Sequence, residues 1–351
     1  MNAAELVVEG PAQMGEITGG TGSGWWRFEL TETTPTVIDV TNTWIGTLAD
    51  SVLTLYDYDL NLLAGDDDTG DAAMSRIIRT LDTGRYYARV KGREPFGKYL
   101  IAASRLNTLS PDCAPFEGNI NGQGSLDWFI LSISSAGWYR IATTAGSLTA
   151  DHMMLYESDH NEPVLEDDTS GPDGMAAIEG PFAAATYYVK IRGRELWDTG
   201  SYEITCCFIT HSISGSILKP NGLPISGGAT ADFGGVRPSV TTVGTGAYVQ
   251  TGFTHGVNVT IKPSKTGWVF RPRNRTVTVA GDFAGQNFTG TIEGDTNFDC
   301  VINVLDMIFV RNKLNASVTV GDNWQADVNR DGSINVLDLI QVRNRLNTRC
   351  P

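Results

Sequence analysis

Asp295-Thr-Asn297-Phe-Asp299-Cys300-Val301-Ile302-Asn303-Val304-Leu305-Asp306 and Asp327-Val-Asn329-Arg-Asp331-Gly332-Ser333-Ile334-Asn335-Val336-Leu337-Asp338 are one unit written twice. The first runs on into Met-Ile308-Phe309-Val-Arg311-Asn312-Lys313-Leu314-Asn315, and the second into Leu-Ile340-Gln-Val-Arg343-Asn344-Arg345-Leu346-Asn347. Oxygen-bearing side chains stand at the first, third, fifth, ninth and twelfth places of each copy. That spacing, with the main-chain carbonyl of the seventh place added, lets a twelve-residue loop wrap one hard cation. An Asp/Asn-rich surface turn explains one such loop. It does not explain two with the same sequence behind them. The candidate ligands are Asp295, Asn297, Asp299, Val301, Asn303 and Asp306 in one loop, and Asp327, Asn329, Asp331, Ser333, Asn335 and Asp338 in the other, for two calcium ions.

Both loops depart from the usual EF-hand. Asp306 and Asp338 close them where the longer Glu is common, and Cys300 stands where the sharp turn favours the Gly found at Gly332. The first site is therefore expected to be the weaker or more strained. Leu305, Ile308 and Phe309, like Leu337 and Ile340, recur at helical spacing, and Arg311, Lys313, Arg343 and Arg345 fall near the helix ends. Before Asp295, Phe288-Thr-Gly-Thr-Ile-Glu-Gly294 is strand-like and then flexible, which leaves no room for an entering helix.

A doubled loop with only its exiting helix resembles the type I dockerin module, over essentially residues 294 to 351. The resemblance implies docking onto a cohesin domain of another protein through residues around the last ligand and on the following helix. By position these are Val304, Leu305, Arg311 and Asn312, and Val336, Leu337, Arg343 and Asn344. It also implies pseudo-twofold symmetry, with either helix able to meet the partner. Spacing alone leaves open whether Val and Leu at these helix starts face the core or the solvent.

The whole chain has 351 residues and a formal net charge of -14, enough for several cores and too acidic for a polyanion partner such as nucleic acid. No run of eighteen apolar residues occurs, so no membrane span is expected. Met-Asn-Ala-Ala-Glu-Leu at the start has neither a basic region nor an apolar core, so no signal peptide is read there. The five cysteines are an odd number. A bridge from Cys113 to Cys206 or Cys207 and another from Cys300 to Cys350 suit an oxidising exterior, and five buried thiols are the alternative.

Upstream of the loops, short Thr-, Val- and Tyr-rich runs bounded by Gly, Asp and Pro read as antiparallel β-sandwiches in series. Trp26-Arg-Phe28-Glu-Leu30, Leu53-Thr-Leu55-Tyr56-Asp57, the acidic turn Asp66-Asp67-Asp68, Tyr86-Tyr87-Ala-Arg89-Val90 and Gly97-Lys-Tyr99-Leu-Ile101 mark one module. They are answered by Asp127-Trp128-Phe129-Ile-Leu131, Met154-Leu155-Tyr156-Glu157, Glu166-Asp167-Asp168, Tyr187-Tyr188-Val-Lys190-Ile191 and Gly200-Ser-Tyr202-Glu-Ile204. A repeat this long means two domains of one fold. Their cues resemble the bacterial pre-peptidase C-terminal domain, a sandwich that accompanies secreted catalytic domains. Residues 210 to 293, with strands between Gly/Pro turns, look like a carboxypeptidase-regulatory or transthyretin-like spacer sandwich. The expected organisation is mainly β: sandwiches at 1–107, 108–209 and 210–293, then a small all-α calcium module at 294–351.

No catalytic constellation emerges. The four histidines are scattered, none in the helical zinc-protease spacing, and no Gly-x-Ser-x-Gly elbow occurs. Gly19-Gly20-Thr-Gly22-Ser-Gly24 leads into a strand, so it lacks the helix N-terminus that holds a phosphate. The acidic turns read as solvated hairpin tips, with a third calcium site as the alternative. The expectation is a secreted, non-enzymatic modular protein, extracellular or at a cell surface, that binds a cohesin-bearing partner. The alternatives are the accessory tail of a secreted protease or polysaccharide-degrading enzyme whose catalytic domain lies upstream, and a polysaccharide-binding protein acting through Trp25, Trp44 or Trp197.

Overall fold

Alternation along the strands decides which side chains enter the cores. In Ser23–Leu30, Trp26, Phe28 and Leu30 are buried while Arg27 and Glu29 face out, the period of two that a half-buried strand requires. The computed structural model describes residues 3–351 apart from 20, 21, 43, 45 and 320–322. Gly20 and Thr21 of the glycine-rich stretch therefore lie outside the described residues. The chain divides into two compact units, Met1–Ile209 and Thr210–Pro351.

In the first unit, Ala4–Glu5, Ser23–Leu30, Gly84–Gly92, Ser51–Tyr56 and Leu62–Asp66 form one sheet in that spatial order. It packs on Phe96–Leu109, Thr34–Thr41 and Arg76–Leu81 around Ile17, Phe28, Leu53, Val90 and Ile101. The second repeat is built likewise: Phe116–Ile120, Gly200–Phe208, Gly137–Ala145 and Ala177–Phe182 face Leu126–Ser132, Thr186–Gly193 and Asp151–Tyr156. Phe129, Leu131, Ile141, Val189 and Ile204 fill the space between. The Cys113–Cys207 disulfide joins the ends of this repeat, and Cys206 is a buried thiol whose burial pushes its pKa up to about 12.

The two repeats are not beads on a string. Phe96–Leu109 runs past residue 107 and pairs in parallel with Leu126–Ser132, Trp128 opposite Leu106 and Leu131 opposite Leu109, so one continuous sheet serves both repeats. On the face of that sheet turned away from the two cores, Val37, Ala102, Leu126, Trp128, Met154 and Tyr156 form a third cluster. Charged groups are sealed with it. The Lys190 ammonium of the second repeat lies 2.7 Å from Asp39 and 2.8 Å from Asp71 of the first. Arg76 bridges the same two carboxylates at 3.0 and 2.7 Å, stacks over Trp128 and Tyr156, and donates to the His160 carbonyl. Tyr156 Oη donates to Asp71. Two cations against two carboxylates satisfy charges that burial would otherwise make costly.

In the second unit, Thr210–Leu218 pairs antiparallel with Ala247–Thr254 and in parallel with Phe288–Ile292, which carries Trp268–Arg271 on its far side. A facing sheet runs Val240–Thr241, Thr230–Asp232, Asn258–Ser264 and Arg275–Thr278. Ile302, Val310, Ile334 and Val342 of the loop–helix repeats belong to the same hydrophobic cluster as Ile213, Phe253, Trp268 and Phe288. The spacer and the terminal repeats therefore share one core. Among the described residues the α-helices are α1, Val304–Asn312, and α2, Val336–Arg343.

Candidate metal centre

Each loop ends by becoming a helix, and the candidate ligands make the transition. Asn303 is the N-cap of α1: its side chain accepts from Leu305 N at 2.7 Å, while Asp306 accepts from Asn303 N at 2.9 Å. Asn335 and Asp338 repeat this reciprocal box on α2 at 2.8 and 2.9 Å. A capping box fixes the first turn by satisfying N–H groups that no helical carbonyl reaches. The other oxygen of Asp306 reaches back across the loop to Thr296 N and Asn297 N, and that of Asp338 to Val328 N and Asn329 N. The ninth and twelfth places thus tie loop and helix together.

The first and fifth places organise the rest. Asp295 accepts from the N–H groups of Phe298, Asp299 and Cys300 and from the Thr291 hydroxyl on the preceding strand. Asp327 does the same for Asp331 and Gly332. Asn297 and Asp299 bond to each other, as do Asn329 and Asp331. Asp299 accepts from Val301 N and Asp331 from Ser333 N, so the seventh-place residues are held by their amides. With the oxygens turned onto loop N–H groups, no three carboxylates of either loop gather within 4.8 Å of one another among the described residues. Asp295, Cys300 and Cys350 do gather, but both sulfurs are in a disulfide.

Carboxylate and amide oxygens with one carbonyl per loop are the donor set a hard cation takes, and the residues fit calcium on that chemistry. Asp295 is 1% exposed, and Asp306 and Asp338 are fully buried, while among the described residues no ion pair reaches any of the three. Desolvation raises the Asp295 pKa, opposed by the hydrogen bonds from Thr291, Cys300 and Asp299 and reinforced by the Asp306 charge. A divalent ion would compensate such charge.

The loops differ at the sixth place, where the turn is sharpest, as well as at the second, fourth and seventh. Cys300 has φ 68° and Gly332 φ 86°, so both sharp turns use the left-handed region, which a side chain disfavours. Cys300 is secured there by its disulfide to Cys350 and by Cys350 N donating to its carbonyl. The copies also interlock by exchange. Asn315 N donates to the Ile334 carbonyl of the second loop, and Asn347 N to the Ile302 carbonyl of the first. Asn315 and Asn347 themselves stand in the turns that follow the helices, in the left-handed conformation at φ 63° and 65°.

The helix faces answer the question that spacing leaves open. Val304 and Val336 are 62% and 60% exposed, and Leu305, Arg311, Asn312, Leu337, Arg343 and Asn344 are exposed as well. Ile308 and Ile340 join them, completing an i, i+1, i+4, i+7, i+8 face on each helix. Spacing identifies the helices from these residues, but the core is reached by Val310 and Val342 instead.

Elsewhere the candidates separate. Asp66 and Asp167 accept from backbone N–H groups across their turns, and Asp67 pairs with Arg93 and Asp168 with Arg194, while Asp67 and Asp68 of the first tip also gather with Asp50 within 4.8 Å. Trp25 packs on Tyr56 under Arg89, and Trp44 lies under Arg192 with its Nε1 donating to the Arg194 carbonyl. Trp197 alone of the three stands well out, 65% exposed. Among the described residues no helix is long and apolar enough to cross a membrane.

No curated protein matches the chain. Among solved structures, the pre-peptidase C-terminal domain of a collagenase from Bacillus anthracis is similar over 29% of this chain and 93% of its own, at 16% identity and a TM-score of 0.26. The periplasmic g-type lysozyme inhibitor PliG of Aeromonas hydrophila is similar over 29% and 96%, at 12% identity and a TM-score of 0.22. The TIE protein of Bacillus anthracis is similar over 78% and 76%, at 10% identity and a TM-score of 0.21. Likenesses at these scores carry no argument about this chain. The family match is of another kind, because it falls on the repeated loops themselves: residues 293–347 match the dockerin type I domain, and the terminal module of this chain is recognised as one.

Proposed function

We propose that this is a secreted, non-catalytic modular protein that docks onto a cohesin-bearing partner through its terminal module, in an extracellular assembly or at a cell surface. The supporting observation is the pair of outward faces, Val304, Leu305, Arg311 and Asn312 on α1 and Val336, Leu337, Arg343 and Asn344 on α2, within a module matching the dockerin type I domain. One calcium ion is assigned to Asp295, Asn297, Asp299, Val301, Asn303 and Asp306, and a second to the matching residues from Asp327 to Asp338. Bound there, calcium would supply positive charge to the three carboxylates that each loop carries. The chain's own part is mechanical: Asn303 and Asp306, like Asn335 and Asp338, belong to loop and helix alike, so ordering the loop sets the first helical turn and the apolar pair it presents. The sandwiches at 1–107, 108–209 and 210–293 are spacer and support. Affinity capture of the full chain on an immobilised type I cohesin tests this. Capture in calcium that disappears in chelator is expected; equal capture in both would overturn the calcium-dependent reading.

Trp197 favours a second reading. Fixed at a turn where Glu195 N donates to Asp198 and Asp198 N to the Glu195 carbonyl, its exposed ring offers a flat apolar face for a sugar. Retention on insoluble polysaccharide that survives deletion of 294–351 and is lost in Trp197→Ala would support it.

A further inference from the structure

Two histidines that lie forty-four positions apart in sequence meet in the spacer sandwich. His211 opens the strand Thr210–Leu218, opposite Phe253, and His255 follows the end of the partner strand Ala247–Thr254 in a turn closed by Val257 N on the Thr254 carbonyl. The rings are half-buried, and His211 Nε2 lies 3.2 Å from His255 Nδ1. Two nitrogens each about 2.05 Å from one ion and separated by that distance subtend an angle of roughly 100°, between tetrahedral and octahedral values.

We propose that His211 and His255 are two ligands of a site for a zinc- or copper-class ion, separate from the calcium loops. Imidazole nitrogen suits these metals, whereas the loops offer only oxygen, so the two kinds of site sort cations by ligand chemistry. Binding moves the proton shared between the rings to the far nitrogen of the ring that donates it, so that both facing nitrogens can turn lone pairs to the ion. Water completes the coordination. Asp282, fixed through one oxygen by the Ser212 N–H and hydroxyl at 2.7 and 3.0 Å, interacts electrostatically with His211 and supplies the outer negative charge.

The test is calorimetric titration of the full chain with zinc chloride in saturating calcium, followed by copper(II) electron paramagnetic resonance. One zinc site beyond the calcium sites is expected, with nitrogen hyperfine structure from two imidazoles. His211→Ala and His255→Ala should each weaken zinc binding at least tenfold, and the double variant should abolish it. Calcium binding and near-ultraviolet dichroism unchanged from the parent show that a variant has folded, with His211→Gln and His255→Gln as a second pair. Zinc binding absent from the parent, or equal in the parent and the folded double variant, overturns the proposal.

Discussion

The chain is duplicated twice, and the two duplications are used in opposite ways. In the first unit the copies meet each other, and at their junction they are complementary: repeat one brings Asp39, Asp71 and Arg76, and repeat two answers with Lys190, Trp128 and Tyr156. Arg27 is exposed, whereas its counterpart Trp128 is fully buried. In the second unit the copies interlock through main-chain bonds, while their outward faces stay nearly the same, Val-Leu, then Ile, then Arg-Asn on each helix. Where a copy packs on its twin, sequence differences make the fit. Where both look outward, sameness preserves one surface in duplicate.

The largest effect is expected at the complementary junction. Lys190→Ala leaves Asp39 and Asp71 short of one cation in a sealed setting, and removing one partner of a buried pair costs about 3–5 kcal/mol. Urea unfolding followed by tryptophan fluorescence reads this directly. A smaller loss is expected in the second unit. Replacing Cys300 and Cys350 by Ser removes a bridge closing a fifty-residue span and destabilises by about 2–4 kcal/mol. Cys300→Gly with Cys350→Ser should lose about 1 kcal/mol less, since Gly accepts the left-handed turn freely. Thermal unfolding in constant calcium compares the two.

The repeats of the first unit also differ at matching core positions. In repeat one Trp26 Nε1 donates to Tyr99 Oη at 3.1 Å; in repeat two Tyr202 Oη donates to Asp127 at 2.6 Å. Burial pushes the Asp127 pKa up to about 7, aided by the Glu9 charge and opposed by the bonds from Tyr202 and Asn119 N. The folded state therefore holds this proton more tightly than the unfolded chain does. Its stabilising contribution is fully present below about pH 4 and is lost as pH rises towards 7. Asp127→Asn should flatten that part of the melting-temperature profile, and the Trp26–Tyr99 pair should contribute nothing to it. The smallest effect belongs to the twin faces. Leu305→Ala with Arg311→Ala leaves α2 intact and should weaken cohesin binding only about twofold if the faces are interchangeable, whereas the same changes on both helices should abolish it. Surface plasmon resonance distinguishes these outcomes.

Local patterns carry most of this architecture. The loops, their exiting helices, the paired sandwich cues and the left-handed demand on Cys300 all arise from residues close in sequence, where spacing and side-chain chemistry suffice. What the pattern cannot carry is the identity of a distant neighbour. Residues 107 and 108 read as the boundary between two modules, yet both lie in a strand whose end, Leu106 to Leu109, pairs with residues 128 to 131. Ile308 and Ile340 have helical spacing, but the face they occupy depends on which side the sandwich core takes. His211 and His255, scattered in sequence, become neighbours only when two strands pair.

The central claim, that divalent ions order the paired loops and thereby the helix faces, is tested most directly by hydrogen exchange of the full chain during a calcium titration. Two ions per chain are expected, with protection rising together over 295–306, 327–338, α1 and α2. At a hundredfold excess over the dissociation constant each ion adds about 2.7 kcal/mol. Exchange and melting that are the same in calcium and in excess chelator would contradict it.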